Sequence, residues 1–445
     1  MHLFLIAFSV VFLLNVNHTI LRTVRNTLAV ADLGGGAHTI PLFELFGALP
    51  ASILMTLLLC WMLRHYSLRR VFLITVSTFL AFFSAFTWLI YPIVSKEQTW
   101  ISIISSMTFY VMAELWKPAV VGVLFWGAIN QYIAVELAKR YYAPLMLGSS
   151  LGALSAGPIV MACTSSSNVW SNSLSTMTLL IVVIGLLAFG LFAIMWRLLS
   201  NHRNTLKPEG SSLSECLQLC MRSPPLRLLT WLVLADYLVY SLGEVIFMEI
   251  LREANPSPVN YCHYMGILSF WSSALTTIFA LTAAPLMLSR WPWIYSALVL
   301  PIGLLMVEAA FFLFLRVENF AAYLGWSHGE WIAIVTLLGS IHYCAGRAMK
   351  YTFFDASKEL AFVLIPPEQR MDGKLIIDGI CTRAGRGVAS GISLSLIVLF
   401  GGVIASAPIA GIVSISTILS WIWSTKALAN RLATKTSTPL NKSIW

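Results

Sequence analysis

Long apolar segments separated by short polar loops run through the whole chain of 445 residues. A helix that crosses a bilayer needs about 20 predominantly apolar residues. Twelve segments meet that length, near residues 3–30, 39–63, 71–93, 101–130, 141–163, 175–199, 226–250, 264–288, 292–315, 329–353, 375–399 and 401–424. The pattern predicts an all-α polytopic membrane protein with twelve transmembrane helices.

The longest polar interruption, residues 200–225, lies between the sixth and seventh segments. It divides the chain into an N-terminal six-helix half, 1–199, and a C-terminal six-helix half, 226–424, which is followed by a tail, 425–445. Two halves of six spans resemble the arrangement of major-facilitator transporters, whose substrate sites lie near the middle of the membrane. Because this inference is a topological analogy, it predicts the fold and leaves the substrate open.

Composition and charge agree with a membrane protein. Hydrophobic residues make up 58% of the chain and charged residues 11%, whereas soluble domains average about 25% charged residues. The net charge of +9 is spread over many short loops, so we expect no nucleic-acid partner. The odd-numbered loops carry only Lys96, Arg252 and Arg316, while the even-numbered loops and the tail are rich in Lys and Arg. The positive-inside rule therefore predicts that both termini and the loop 200–225 are cytoplasmic.

Positively charged residues interrupt the apolar segments at seven positions: Arg22, Arg25, Lys117, Arg347, Lys350, Arg383 and Arg386. A cation in hydrocarbon costs roughly 2.5–3.5 kcal/mol on insertion scales, so such residues normally face a protein interior, a partner or a ligand. Six of the seven form pairs spaced three residues apart, which places both members on one helix face. Like charges so close require water, a carboxylate or an anion between them. The pattern indicates a path for a strongly anionic substrate.

Other interpretations of these cations stay open. Those near the ends of spans, Arg22, Arg25, Arg383 and Arg386, could extend to lipid headgroups. Lys350 could mark the cytoplasmic end of the tenth span. Glu114 lies three residues before Lys117, which predicts an internal ion pair, and Pro118 predicts a kink beside it. Trp116 is a candidate for stacking on a base.

Acidic residues within the segments are fewer than the cations. Glu44 and Glu308 are isolated in apolar helices, so we interpret them as hydrogen-bonded packing residues. Asp236 receives no assignment. The seven Cys are scattered and are interpreted as packing residues. We expect no cofactor and no bound metal.

Four stretches resemble the ATP/ADP translocase family, the nucleotide transporters of plastids and obligate intracellular bacteria. The strongest match is residues 350–391, KYTFFDASKELAFVLIPPEQRMDGKLIIDGICTRAGRGVASG. The other matches are residues 113–142, 20–32 and 237–266. The resemblance implies exchange of ATP for ADP without hydrolysis, so we expect no enzymatic activity.

The resemblance also implies roles for individual residues. Arg25 stands at the family's first-span Lys, while Glu114 and Glu244 stand at its acids in spans four and seven. The family's basic residues of the later spans fall on Lys350, Lys358, Lys374, Arg383 and Arg386, with Asp355 and Asp378 as acidic partners. Joined with Arg22 and Lys117, these cations form the predicted phosphate-binding set. The predicted pairing and gating acids are Glu114, Glu244, Asp355 and Asp378.

Two departures from the family pattern leave the nucleotide and its coupling open. Arg25-Asn26 replaces Lys-Asp, and Phe247-Met248 replaces Trp-Lys. The alternatives are a proton-coupled importer of mixed nucleotides or NAD, and a non-transporting paralogue with a receptor or structural role. Because no transit-like lead precedes the first span, we expect a bacterial inner membrane. The expected partners are adenine nucleotides and the lipid bilayer, and the oligomeric state stays open.

Overall fold

The structure, a computed structural model, describes residues 2–96, 100–132, 135–199, 222–316, 323, 325–365 and 373–435. Within those ranges, twelve helices are long and apolar enough to cross a membrane. They are α1 Leu3–Asp32, α2 Thr39–His65, α3 Leu68–Val94, α4 Trp100–Asn130, α5 Pro144–Ser165, α6 Trp170–Leu198, α7 Pro224–Ala254, α8 Pro258–Met287, α9 Trp293–Arg316, α10 His328–Phe362, α11 Ile376–Phe400 and α12 Val403–Arg431. The predicted all-helical fold with twelve spans is confirmed.

Several helices extend beyond the segments that hydropathy marks. The helix containing α5 starts at Val135, and the helix containing α12 continues to Lys435. A long extension also occurs in α10, which we predicted to end at residue 353. It continues through the helix Asp355–Leu364 because Ala, Lys, Glu and Leu in this stretch are strong helix formers although the stretch is less apolar.

Short π-helical stretches interrupt several spans. They are Leu28–Asp32, Glu44–Ala48, Phe86–Ile90, Lys117–Phe125, Lys350–Phe354 and Leu375–Cys381. Such stretches are rare and occur frequently at functional sites. Predicted site residues open two of them, Lys117 and Lys350. Pro118 explains the first of these breaks, because proline has no backbone N–H to donate.

The chain divides into two compact units. The first unit comprises Met1–Pro208 and Asn255–Ala274, and the second comprises Glu209–Ala254 and Leu275–Trp445. Helix α8 therefore starts in the first unit and ends in the second. The division into two six-helix halves, a linker and a tail stays a prediction. Most of the predicted linker, 200–221, and the end of the tail, 436–445, lie outside the described residues.

Each unit has its own apolar core. In the first unit the rings of Phe72 and Phe192 stack with centroids 3.5 Å apart. Gly152 on α5 allows close packing there, because a Cβ at this position would lie 2.4 Å from the carbonyl oxygen of Phe12 on α1. In the second unit Trp421 is fully buried and contacts the edge of Phe354, with ring centroids 5.3 Å apart. These cores hold the helices that carry the ionisable residues.

Candidate functional site

In the first unit, Arg25 of α1 is 8% exposed and pairs with Glu114 of α4. Its Nη1 donates a hydrogen bond to Glu114 Oε2. The guanidinium also lies over the ring of Tyr110, with Cζ 4.5 Å from the centroid. Tyr110 in turn donates its hydroxyl to Glu44 Oε1 at 3.3 Å. The structure therefore brings together the predicted first-span cation and the predicted fourth-span acid.

Arg22, one turn earlier on α1, has a different partner. Its Nη2 donates to Ser269 Oγ of α8 at 3.4 Å, within the same unit. Arg22 is 9% exposed, so both cations of this pair are directed into the unit. Two like charges three residues apart are tolerated here because each of them contacts a different polar group.

Lys117 and Trp116 are adjacent in sequence but differ in environment. The Lys117 side chain is exposed at the start of its π-helical stretch. Trp116 is fully buried, donates its indole N–H to the Leu14 carbonyl at 3.2 Å and contacts the edge of Phe79. In this conformation Trp116 is a packing residue, and its stacking on a base stays a prediction. Glu114, which the spacing assigned to Lys117, accepts from Arg25.

In the second unit, Lys350 of α10 pairs with Asp236 of α7. Its Nζ donates to Asp236 Oδ2, and Asp236 is almost fully buried. The same ammonium lies 4.2 Å from the centroid of the Tyr237 ring, and Cζ of Arg386 lies 5.7 Å from that centroid. Sequence reasoning missed the role of Asp236. The signal was an acid in the middle of an apolar helix, which requires a partner of opposite charge.

The extended end of α10 holds a second cluster of charges. Lys358 Nζ donates to Asp378 Oδ1 at 2.6 Å and lies 4.0 Å from Asp355 Oδ1. Lys374 Nζ pairs with Glu359 Oε2, and both of these side chains are nearly half exposed. The structure thus places the two predicted acids, Asp355 and Asp378, beside one predicted phosphate ligand.

The remaining predicted residues of the second unit lie on α7 and α11. Arg383 and Arg386 have exposed side chains on α11, and Glu244 is half buried on α7. The charge of Arg386 approaches the Lys350–Asp236 pair, because Arg386 and Lys350 both contact the Tyr237 ring. The predicted roles of these residues in phosphate binding and gating stay predictions.

The Phe247-Met248 departure from the family pattern lies in the core of the second unit. Both side chains are fully buried. Phe247 packs against Gly339 of α10, where a Cβ would lie 2.2 Å from the Phe247 ring. It also contacts the ring of Tyr343, whose hydroxyl accepts a hydrogen bond from Arg347 Nη1 at 3.0 Å. Apolar packing thus occupies the position where the family has a cation.

Comparison with solved structures defines the fold. A mutant of the nucleoside transporter NupG is similar with a TM-score of 0.66 over 96% of this chain and 99% of that chain, at 15% identity. A D-xylose–proton symporter is similar with a TM-score of 0.60 over 94% and 96%, at 13% identity. At these identities the likeness shows the fold alone. The molecule is a multi-pass membrane protein with the major-facilitator-like transporter fold.

Comparison of sequences defines the family. The family described as TLC ATP/ADP transporter matches residues 1–99 and 94–432, so the chain belongs to it. ADP,ATP carrier protein 2 of Chlamydia trachomatis is 29% identical over 97% of this chain and 89% of the relative. The chloroplastic ADP,ATP carrier protein 2 of Arabidopsis thaliana is 27% identical over 94% and 72%, respectively. The resemblance seen in four stretches is confirmed, and with it the predicted class, a membrane nucleotide transporter.

Proposed function

We propose that this protein exchanges external ATP for internal ADP across a bacterial inner membrane, by alternating access and without hydrolysis. Family membership supports the substrate class. The observation that carries the proposal is the pair of cation–acid contacts inside spanning helices, Arg25–Glu114 and Lys350–Asp236. Cations held by acids in such places can exchange those acids for the phosphates of a nucleotide.

Arg25 is the proposed phosphate clamp of the first unit. A guanidinium offers planar, two-point contacts that match phosphate oxygens, whereas an ammonium acts as a point charge. The contact with Tyr110 holds the guanidinium in position at 4.5 Å. In the proposed cycle, a phosphate oxygen replaces Glu114 as the acceptor of the Arg25 hydrogen bond.

The proposed phosphate ligands of the second unit are Lys350, Lys358, Lys374, Arg383 and Arg386. In the first unit, Arg22 and Lys117 join Arg25 as proposed ligands. Glu114, Glu244, Asp355 and Asp378 are the proposed pairing and gating acids. Asp236 joins them because it accepts from Lys350. Each acid neutralises a cation while no nucleotide is bound, and it is released when phosphate takes its place.

The same exchange of partners explains why an empty carrier would not reorient. In the proposed cycle the cation–acid pairs hold the empty carrier closed, and they must separate before it can reorient. A buried cation that has lost its acid and has not gained a phosphate is an uncompensated charge, which is strongly destabilising. Reorientation then requires a bound nucleotide, which is the condition for antiport. ATP carries one more negative charge than ADP, so the exchange moves charge unless a counter-ion accompanies ATP.

The experiment that tests the proposal is uptake by proteoliposomes that contain the full chain. Vesicles preloaded with ADP should take up labelled ATP, whereas vesicles without internal nucleotide should not. Uptake that ignores internal ADP and collapses with a protonophore would favour the proton-coupled importer instead. Absence of uptake and of any nucleotide-dependent change in melting temperature would favour a receptor or structural role. Protease accessibility of the termini would test their proposed cytoplasmic location.

A further inference from the structure

The turn between α2 and α3 in the first unit is short and strongly basic. Helix α2 ends at His65 and α3 begins at Leu68, so only residues 66–67 separate the two helices. The Ser67 hydroxyl accepts a hydrogen bond from the Arg70 backbone N–H at 3.5 Å, which caps the start of α3. Three arginines flank this turn: Arg64, Arg69 and Arg70. The short connection therefore holds three positive charges close together.

Acidic residues that could neutralise these arginines are distant. The nearest acids along the chain are Glu44 on one side and Glu97 on the other. Glu44 stands about 30 Å from Arg64 along α2, at about 1.5 Å of rise per residue. Within the part of the chain that the structure describes, no acid lies within ion-pair distance of the three arginines. Their charge is therefore available to an anion from outside the chain.

The three arginine side chains differ in exposure. Arg64 and Arg70 are exposed, whereas Arg69 is half-buried. The Nε of Arg69 is covered by protein and has no hydrogen-bond partner among the described residues. Covered donors are nearly always paired, because an unpaired one costs free energy. An acceptor that meets Arg69 after a small rotation of its side chain would satisfy this donor.

An aromatic cluster lies beside the arginines at the end of α2. The centroid of the Trp61 ring is 5.1 Å from that of His65 and 6.2 Å from that of Tyr66. Nδ1 of His65 lies 2.8 Å from the Trp61 carbonyl oxygen, which holds the imidazole against the helix. Trp61 and Tyr66 are both exposed. Exposed Trp and Tyr at the end of a spanning helix are typical of the level of the lipid headgroups.

Helix α2 presents an apolar face that leads to this cluster. Exposed residues recur on it at helical spacing: Leu54, Leu57, Leu58 and Trp61. Helix α2 is also the least buried of the twelve spans, with 17% of its most apolar stretch buried. Because the chain spans a membrane, this face contacts acyl chains. The basic turn therefore continues a surface that is already covered by lipid.

These features match a phospholipid of net negative charge. A guanidinium makes planar, two-point contacts with phosphate oxygens. The positive-inside rule assigns this turn to the cytoplasmic side, where anionic lipids attract basic segments near the surface. A zwitterionic lipid also carries a phosphate, but its ammonium group cancels the charge. A soluble anion matches the arginines and leaves the aromatic cluster and the apolar face unused.

We propose that the turn between α2 and α3 binds one anionic phospholipid. The lipid phosphate contacts Arg64 from α2 and Arg69 and Arg70 from α3, while Trp61 and Tyr66 border the headgroup. The acyl chains lie along the exposed face of α2. The lipid thus joins the ends of two helices across their short turn. The site includes none of the proposed nucleotide ligands, so it does not depend on the proposed exchange.

The test measures lipid affinity by native mass spectrometry of the full chain in detergent, with phosphatidylglycerol as the probe and phosphatidylcholine as the neutral reference. Each basic residue near an anionic surface strengthens binding about fivefold, so the wild type should prefer phosphatidylglycerol by about tenfold or more. A triple variant, Arg64→Gln, Arg69→Gln and Arg70→Gln, should bind the two lipids alike. Arg70→Gln alone, a change of one exposed side chain, should lose about fivefold and serves if the triple variant does not fold.

Arg290→Gln is the matched control, because Arg290 is an exposed arginine beside an exposed tryptophan, Trp291, in the turn between α8 and α9. It should keep the wild-type preference. Phosphatidylglycerol should raise the melting temperature of the wild type and of this control, and should leave that of the triple variant unchanged. Equal affinity of the wild type for both lipids, or a preference kept by the folded arginine variants, would overturn the proposal. Displacement of phosphatidylglycerol by an excess of inorganic phosphate would also overturn it, since the site would then serve a soluble anion.

Discussion

The two units hold their buried cations in different ways. In the first unit one arginine, Arg25, has one acid, Glu114, and one aromatic ring, Tyr110, all largely buried. In the second unit the paired cations among the predicted site residues are lysines, and these pairs range from nearly buried at Lys350–Asp236 to nearly half exposed at Lys374–Glu359. The difference supports the proposed roles, in which the first unit supplies a planar phosphate clamp and the second a graded series of point charges. Substitutions in the two units should therefore have unequal effects.

The largest effect is expected for Arg25→Ala. It breaks the Arg25–Glu114 pair, and removing one partner of a buried pair costs about 3–5 kcal/mol. It also removes the proposed clamp. Initial ATP uptake into ADP-loaded vesicles should fall by roughly a hundredfold or more. Arg25→Lys should recover only part of this rate, since an ammonium makes no planar two-point contact. Lys96→Ala, an exposed loop cation, is the control, and full activity of Arg25→Ala would remove Arg25 from the site.

An intermediate effect is expected when Lys350 and Asp236 are separated. Asp236→Asn should lower uptake about tenfold, and Lys350→Ala should lower it somewhat more, because the lysine is also a proposed phosphate ligand. The double variant should lose less melting temperature than the sum of the two single variants, since the pair is coupled through direct contact. Additive losses of melting temperature would contradict that coupling.

Smaller effects on stability are expected where glycines bring helices together in each unit. Gly152→Ala in the first unit and Gly339→Ala in the second introduce a Cβ against Phe12 and Phe247, respectively. Overpacking of this kind typically costs about 1–3 kcal/mol, so both variants should melt several degrees lower. Gly190→Ala and Gly391→Ala, whose added Cβ atoms have open space, are matched controls that should melt at the wild-type temperature or higher. Equal melting temperatures for all four variants would contradict the packing described for these helices.

The smallest effect is expected for Lys374→Ala and Glu359→Gln. Their ion pair is exposed, and exposed pairs contribute about 0–1 kcal/mol to stability. Neither substitution should change the melting temperature measurably. Lys374→Ala should slow uptake by about twofold to fivefold through the loss of a point charge near the proposed substrate path. If Lys374→Ala lost as much uptake as Arg25→Ala, the proposed graded series of point charges in the second unit would be wrong.

The twelve spans and the family could be predicted because apolar length and short motifs lie directly in the sequence. Contacts between helices could not, because hydropathy does not specify the rotation of a helix about its axis. The spacing of Glu114 and Lys117 predicted an internal pair but gave no sign that Glu114 accepts from Arg25 on another helix. Asp236 has its partner, Lys350, on another helix, so this pair emerges only when the helices pack. Helix propensity, rather than hydropathy, was the signal for the extension of α10.

The claim on which the account depends is that nucleotide phosphate competes with Glu114 for Arg25. The most direct measurement is the affinity of the purified protein for labelled ATP in wild type, in Glu114→Gln and in the control Glu249→Gln, whose partner Arg252 is not a proposed phosphate ligand. Removing the competing acid should tighten ATP binding by about tenfold, since the unpaired cation no longer has to give up its partner. The same variant should exchange nucleotides more slowly. Affinity for ATP that is unchanged or weaker in Glu114→Gln would contradict the account.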